Sequence, residues 1–209
     1  MLVGAVLWPA AARAQGHSIG ATLSYAEHRV DDGFGVERAS GPMLGMELGT
    51  RLGGKLNSTF GLRLGTLQLR TTEGTDRDVA EFDARGSYAV RSNFFLESSL
   101  MLRAYTAAAG RQRWTAVGLG AAARVPFGAG GAHGIVRAAL LPLLAATGLP
   151  GPDLAFTAAA GMEYRRGRAA LEVLYCLERY DFPVRNAVAR REQLTTLNIG
   201  MRWNRGAGK

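Results

Sequence analysis

Along this chain apolar residues return at every second position in nine separate runs, and a tenth segment is less regular. The last run is the most regular: Leu197, Ile199, Met201 and Trp203 alternate with Asn198, Gly200 and Arg202. A period of two belongs to a β-strand whose two faces meet different surroundings. The same alternation marks 19–25, 44–52, 56–64, 80–90, 96–102, 117–125, 154–164 and 171–177. After 64 the phase slips at Leu67 and Leu69, which implies a bulge. The segment 135–144, "IVRAALLPLL", is almost continuously apolar and carries Pro142, so a helix competes with a strand there. It is read as a strand because an up-and-down closure needs an even count.

The connections sort into two kinds. Short turns lie at Gly53-Gly54, Arg91-Ser92-Asn93, 127–134 and 165–168, whereas longer links span 30–40, 70–78, 107–113, 145–153 and 181–192. Long and short alternate along the whole chain, which is the rhythm of an antiparallel meander with its short turns on one rim. The expected fold is therefore all-β: a closed antiparallel up-and-down barrel, most simply of ten strands, with eight as the alternative count. Residues 15–209 form its single domain.

Which face looks inward decides the solvent. On the face opposite the apolar stripe stand Glu47, Glu81, Asp83, Glu97, Glu163, Glu172 and Glu178, with Arg51, Arg63, Arg85, Arg103, Arg124, Arg137 and Arg202. Acids and arginines match in number, glycine, serine and threonine separate them, and the only lysines in the chain are Lys55 and Lys209. Arginine forks bind carboxylates in pairs, so this face suits a narrow lumen holding an ion-pair network. The apolar face then meets lipid. A soluble lipocalin-like carrier, with the faces reversed, is the alternative. About ten residues per strand at a tilt near 45° suffice to cross a bilayer. Tyr88, Phe94, Phe127, Tyr164 and Trp203 border the short turns, as an interfacial girdle should, while Tyr105, Trp114 and Tyr180 fall on the inward phase.

The first residues read as an export signal: an apolar stretch at 2–8, then Ala12-Arg13-Ala14, with cleavage expected after Ala14. The lone cysteine, Cys176, excludes an internal disulfide and is read as a small strand filler. The formal charge of +8 comes almost wholly from arginine, yet no dense basic run is interleaved with aromatics, so no nucleic-acid partner is expected.

With the export signal and the loop rhythm, the closing stripe that ends at Trp203 resembles the C-terminal insertion signal of bacterial outer-membrane β-barrel proteins. That resemblance covers nearly the whole chain and is generic to the class. It implies a Gram-negative outer-membrane location, contact with membrane lipid and lipopolysaccharide, assembly by the outer-membrane insertion machinery, and a monomer. A barrel of this size is porin-like in topology, but aqueous channels need larger barrels.

The topology also resembles that of the omptin proteases, which place acidic pairs and a histidine across the mouth to activate water. The residues here that could serve are His28, Asp31, Asp32 and Asp181, with Asp76, Asp78 and Asp153 near the other long links. A general base needs a partner within hydrogen-bond reach. Outer-membrane lipid A deacylases are similar in size only, since His17, His28 and His133 stand in no catalytic motif. No cofactor or metal is expected: the histidines are scattered, and Gly118-x-Gly120-x-x-Ala123 sits in a strand where a dinucleotide motif needs a helix. "RRGR" at 165–168 reads as a solvated turn, and Arg190-Arg191 as a pair in the last outer link that could meet phosphates. The expected function is a structural or surface-interaction role, with an omptin-like or lipid-modifying hydrolase as the alternative.

Overall fold

The computed structural model describes residues 14–70, 76–107, 110–128, 130–185 and 188–206. The expected export signal lies, but for Ala14, outside the described residues. Ten strands follow one another: β1 (Ala14–Asp31), β2 (Val36–Leu52), β3 (Leu56–Leu69), β4 (Arg77–Arg91), β5 (Phe94–Ala107), β6 (Gly110–Phe127), β7 (Ala132–Ala146), β8 (Leu154–Arg166), β9 (Ala169–Arg185) and β10 (Val188–Gly206). Each pairs antiparallel with its sequence neighbours, and β10 pairs with β1, closing the barrel. The terminal stripe makes that closure. Trp203 lies opposite Ile19, Met201 opposite Ala21, Ile199 opposite Leu23 and Leu197 opposite Tyr25. Every strand therefore has a hydrogen-bonded neighbour on both sides, the condition for a sheet surrounded by hydrocarbon.

The apolar stripe faces outward. Leu23, Leu44, Leu62, Leu119, Val136, Leu171 and Met201 are all exposed, as are Tyr88, Phe94, Phe127, Tyr164 and Trp203 beside the short turns. At those turns Gly53 and Gly167 take φ of 70° and 58°, left-handed values that a side chain would oppose.

Two expectations are corrected and a third is met. The strands run 13 to 19 residues rather than about ten, because the chain stays extended through sequence that had read as link. Between β1 and β2 only Asp32, Gly33, Phe34 and Gly35 remain as a turn. Past Tyr25 the outward positions turn from apolar to charged, at Glu27, Arg29 and Asp31, while the ladder with β2 and β10 continues. Hydrogen bonding holds those extensions and does not need an apolar stripe. Second, β3 has no bulge. Its register with β2 and β4 does not shift, although the β2 ladder lapses at Gly41-Pro42, and Leu67 simply points inward, completely buried. Third, the strand with Pro142 does form, and the irregularity sits there: the β6–β7 register shifts between the Val117 and Leu119 pairs, opposite Leu141-Pro142. Proline has no N–H for the ladder, so an extra residue is accommodated beside it. Leu140 and Leu143 consequently both face out, while Leu141 faces in.

Candidate functional site

Among the described residues, charged and aromatic side chains from many strands converge in the lumen, which changes character along the axis. In the half toward the longer links, small and apolar inward residues fill the space. Trp114 of β6 packs on Tyr180 and Phe182 of β9, with ring centroids 5.0 and 6.1 Å apart. Met43, Leu67, Val79, Tyr105, Leu141 and Leu194 complete this buried cluster. The aromatics that fell on the inward phase therefore form an internal core rather than an interfacial girdle.

Directly beneath lies a charged layer. Arg103 of β5, almost fully buried, donates from Nε to Glu81 Oε2 at 2.5 Å on the adjacent strand β4. Its two terminal nitrogens reach across the lumen to Glu178 of β9, at 2.8 and 2.9 Å. Arg63 of β3 donates to the other oxygen of Glu81 and stands 3.6 Å from Asp83. Tyr180 donates its hydroxyl to Glu178 at 2.5 Å. Two buried charges, Glu81 and Arg103, and two partly buried ones, Arg63 and Glu178, thus satisfy one another, Arg103 and Glu178 in a bidentate geometry that offsets much of their desolvation. Room for them comes from glycine: a Cβ on Gly45 would stand 2.8 Å from Arg63 Cγ, and one on Gly61 would strike the Asp83 carboxylate. Beside this layer Ser24 donates to Asn198 Oδ1 at 2.6 Å, and the Asn198 amide reaches Cys176 Sγ at 3.3 Å.

Toward the short turns the lumen opens into a vestibule of about 1050 Å³. Arg202 bridges Glu47 at 3.1 Å and Glu172 at 3.8 Å, and Arg137 lies 3.8 Å from Glu97. Glu163 is gripped by Arg165 at 2.5 Å and by Arg124 at 3.4 Å. Of the fourteen residues expected in the lumen network, Arg63, Glu81, Asp83, Arg103 and Glu178 form one cluster, and Glu47, Glu97, Arg124, Arg137, Glu163, Glu172 and Arg202 form smaller ones. Arg51 and Arg85 join no ion pair among the described residues, Arg51 instead donating to Asn57 Oδ1 at 3.2 Å. Arg165 was missed because "RRGR" reads as a turn. Its spacing of two from Glu163 places both on one face of β8, which is the signal that could have found it.

The candidate catalytic residues do not come together. His28 faces the lumen near the mouth, with Nε2 3.1 Å from Glu192 Oε2 and its ring stacked on Tyr105 at 5.0 Å. Asp31 and Asp32 serve the exposed β1–β2 turn, accepting backbone N–H groups of Gly33, Phe34 and Gly35. Asp181 is held by Arg179 at 3.1 Å and Arg191 at 2.8 Å. Asp78 accepts from the Thr66 hydroxyl at 2.7 Å, Asp76 accepts the Leu69 N–H at 3.3 Å, and Asp153 is exposed. The partner that sequence reading missed for His28 is Glu192, which lies 164 positions away and becomes adjacent only through the β1–β10 closure. Arg190 and Arg191 lie in β10 rather than in a link and point to opposite faces, Arg190 onto Glu192 at 2.6 Å and Arg191 onto Asp181.

No protein-family model matches the chain, and no curated protein matches it in sequence. Its fold is similar to that of the outer membrane protease OmpT from Escherichia coli, with a TM-score of 0.56 at 9% identity, covering 91% of this chain and 97% of that one. It also aligns with the translocator domain of the autotransporter NalP from Neisseria meningitidis, with a TM-score of 0.48 at 14% identity, covering 95% and 92%. Ail of Yersinia pestis aligns with a TM-score of 0.36 at 10% identity, covering 91% and 99%. At these identities the likeness is one of architecture. The chain has the closed up-and-down β-barrel fold of bacterial outer-membrane proteins.

Proposed function

We propose that this chain resides in a bacterial outer membrane as a barrel closed to solutes, with a structural or surface-interaction role rather than that of a channel. The observation that carries this reading is the Arg103 bridge, which ties Glu81 on one wall to Glu178 on the other across the middle of the lumen. Above it the Trp114–Tyr180–Phe182 cluster fills the remaining space, and the gap between the two layers is only about 10 Å³. A hydrated ion would have to break buried ion pairs and displace packed aromatics to pass. The outward apolar belt and the girdle at the short turns support lipid as the surrounding solvent. Export through a signal cleaved after Ala14, insertion by the outer-membrane machinery, contact of Arg191 and its neighbours with lipopolysaccharide, and a monomeric state all belong to this reading.

Planar-bilayer recording of the refolded protein tests it. The expected outcome is no stepwise conductance from a preparation whose barrel is intact, as judged by faster gel migration before boiling than after. Reproducible unitary conductance from that preparation would replace the sealed scaffold with a channel.

A further inference from the structure

The vestibule at the short-turn end is not a neutral space. Seven arginines line it: Arg51, Arg85, Arg124, Arg137, Arg165, Arg202 and Arg205. Its carboxylates are Glu47 and Glu97, with Glu163 and Glu172 reaching it through the arginines they bind. Four acids against seven arginines leave an excess of three positive charges facing one cavity. The excess is concentrated on its floor. Arg85 of β4 has no carboxylate within bridging distance among the described residues, and the nearby Asp83 is turned toward Arg63. Arg137 of β7 has a buried Nε with no hydrogen-bond partner, its closest carboxylate oxygen being that of Glu97, 3.8 Å away. Guanidinium groups crowded in a half-enclosed, low-dielectric space repel one another, and an anion that accepts from both relieves this. At about 1050 Å³ the cavity is of the size that holds small ligands.

We propose that this vestibule binds a dissolved polyanion bearing clustered phosphate groups, with Arg85 and Arg137 as its principal contacts. Their planar forks match phosphate oxygens two at a time, which a single carboxylate at 3.8 Å does not exploit. The same phosphate chemistry is carried by lipid headgroups, but the cavity lies inside the closed wall while the belt that meets lipid lies outside it. The site is independent of whether the central layer seals the barrel.

The test is calorimetric titration of the refolded protein, in neutral detergent, with inorganic tripolyphosphate and separately with glucose. Saturable binding of tripolyphosphate alone is expected, weakening as sodium chloride is raised. Arg85→Ala and Arg137→Ala should each weaken it by about tenfold or more, the loss of charged hydrogen bonds. Arg85→Lys should keep the charge but lose part of the affinity, and Arg29→Ala, on the outer wall and outside the vestibule lining, should change nothing. The gel-migration shift on boiling checks that each variant is folded, and Arg137→Lys replaces any alanine variant that is not. Absence of saturable binding, or affinity indifferent to both vestibule substitutions in folded protein, overturns the proposal. Repeating the titration in nanodiscs of phosphatidylcholine should leave the affinity unchanged. Competition by an added phosphate-rich anionic lipid would make the occupant a headgroup and overturn the assignment to a dissolved ligand.

Discussion

The two halves of the lumen are built on the same ten strands and use opposite physics. Toward the longer links, inward positions hold Met43, Leu67, Val79, Trp114, Phe182 and Leu194, packed against one another as in a soluble core. Toward the short turns, the same inward phase holds arginine, glutamate, serine and glycine around an open cavity. The charged layer of Arg63, Glu81, Arg103 and Glu178 is the boundary between them. A barrel in lipid cannot draw stability from an outer surface that lipid solvates, so what is packed inside carries more of the burden in one half than in the other. Substitutions should therefore hurt according to which half they strike.

The strongest break is expected at the boundary. Arg103→Met removes the shared partner of Glu81 and Glu178 and leaves two buried carboxylates with less compensation, Arg63 remaining for Glu81. A loss of about 3–5 kcal/mol in stability follows from breaking a buried pair by removing one member. Urea titration of the folded barrel in micelles, read by tryptophan fluorescence, measures it; a loss below about 1 kcal/mol would mean that the layer is hydrated and not a boundary at all.

The next comparison sets one residue from each half side by side. Leu67→Ala, in the packed half, should cost about 2–4 kcal/mol, since its side chain is fully buried among neighbours that cannot collapse freely. Arg124→Gln, in the open half, should cost about 1 kcal/mol or less, because Arg124 is partly hydrated and Arg165 still holds Glu163. The same titration reads both. Equal losses would erase the distinction between the halves.

That distinction also explains what the sequence could and could not reveal. Alternation at Leu197, Ile199, Met201 and Trp203, and its repetition, disclosed the strands, the closure and the outward face, because lipid imposes one rule along the whole belt. Leu67 and Leu69 looked like a slipped phase since the rule of polar-inside was applied where the interior is itself apolar. The strand extension through Glu27, His28, Arg29 and Val30 was invisible for a related reason: beyond the belt, ladder hydrogen bonds persist while the hydrophobic contrast that reports them fades. Lumen charges were legible as a set, from parity, but their partners were not. Arg103 and Glu178 meet across the barrel at a separation of 75 positions, a distance fixed by curvature and side-chain reach rather than by spacing.

The smallest effect belongs to the rim above the packed half, in the turn between β1 and β2 and outside the apolar belt. The carboxylate of Asp32 accepts the backbone N–H groups of Phe34 and Gly35, each at 3.0 Å, and these bonds hold its carboxyl below the ordinary aspartate range. A carboxyl lowered on folding stabilises its turn above its unfolded value, near about 3.9, and that stabilisation drains away as pH falls through the lower folded value. Amide hydrogen exchange, corrected for its intrinsic pH dependence, should show constant protection at Phe34 and Gly35 down to pH of about 5 and a decline only below roughly 4. Amides around Trp114 should hold their protection throughout, because they are bonded within the β5–β6–β7 ladders and no carboxylate caps them directly. In Asp32→Asn the side-chain oxygen still accepts but no longer titrates, so a weaker protection independent of pH is expected. Protection that instead rises on acidification would mean the turn is held by something other than this carboxylate.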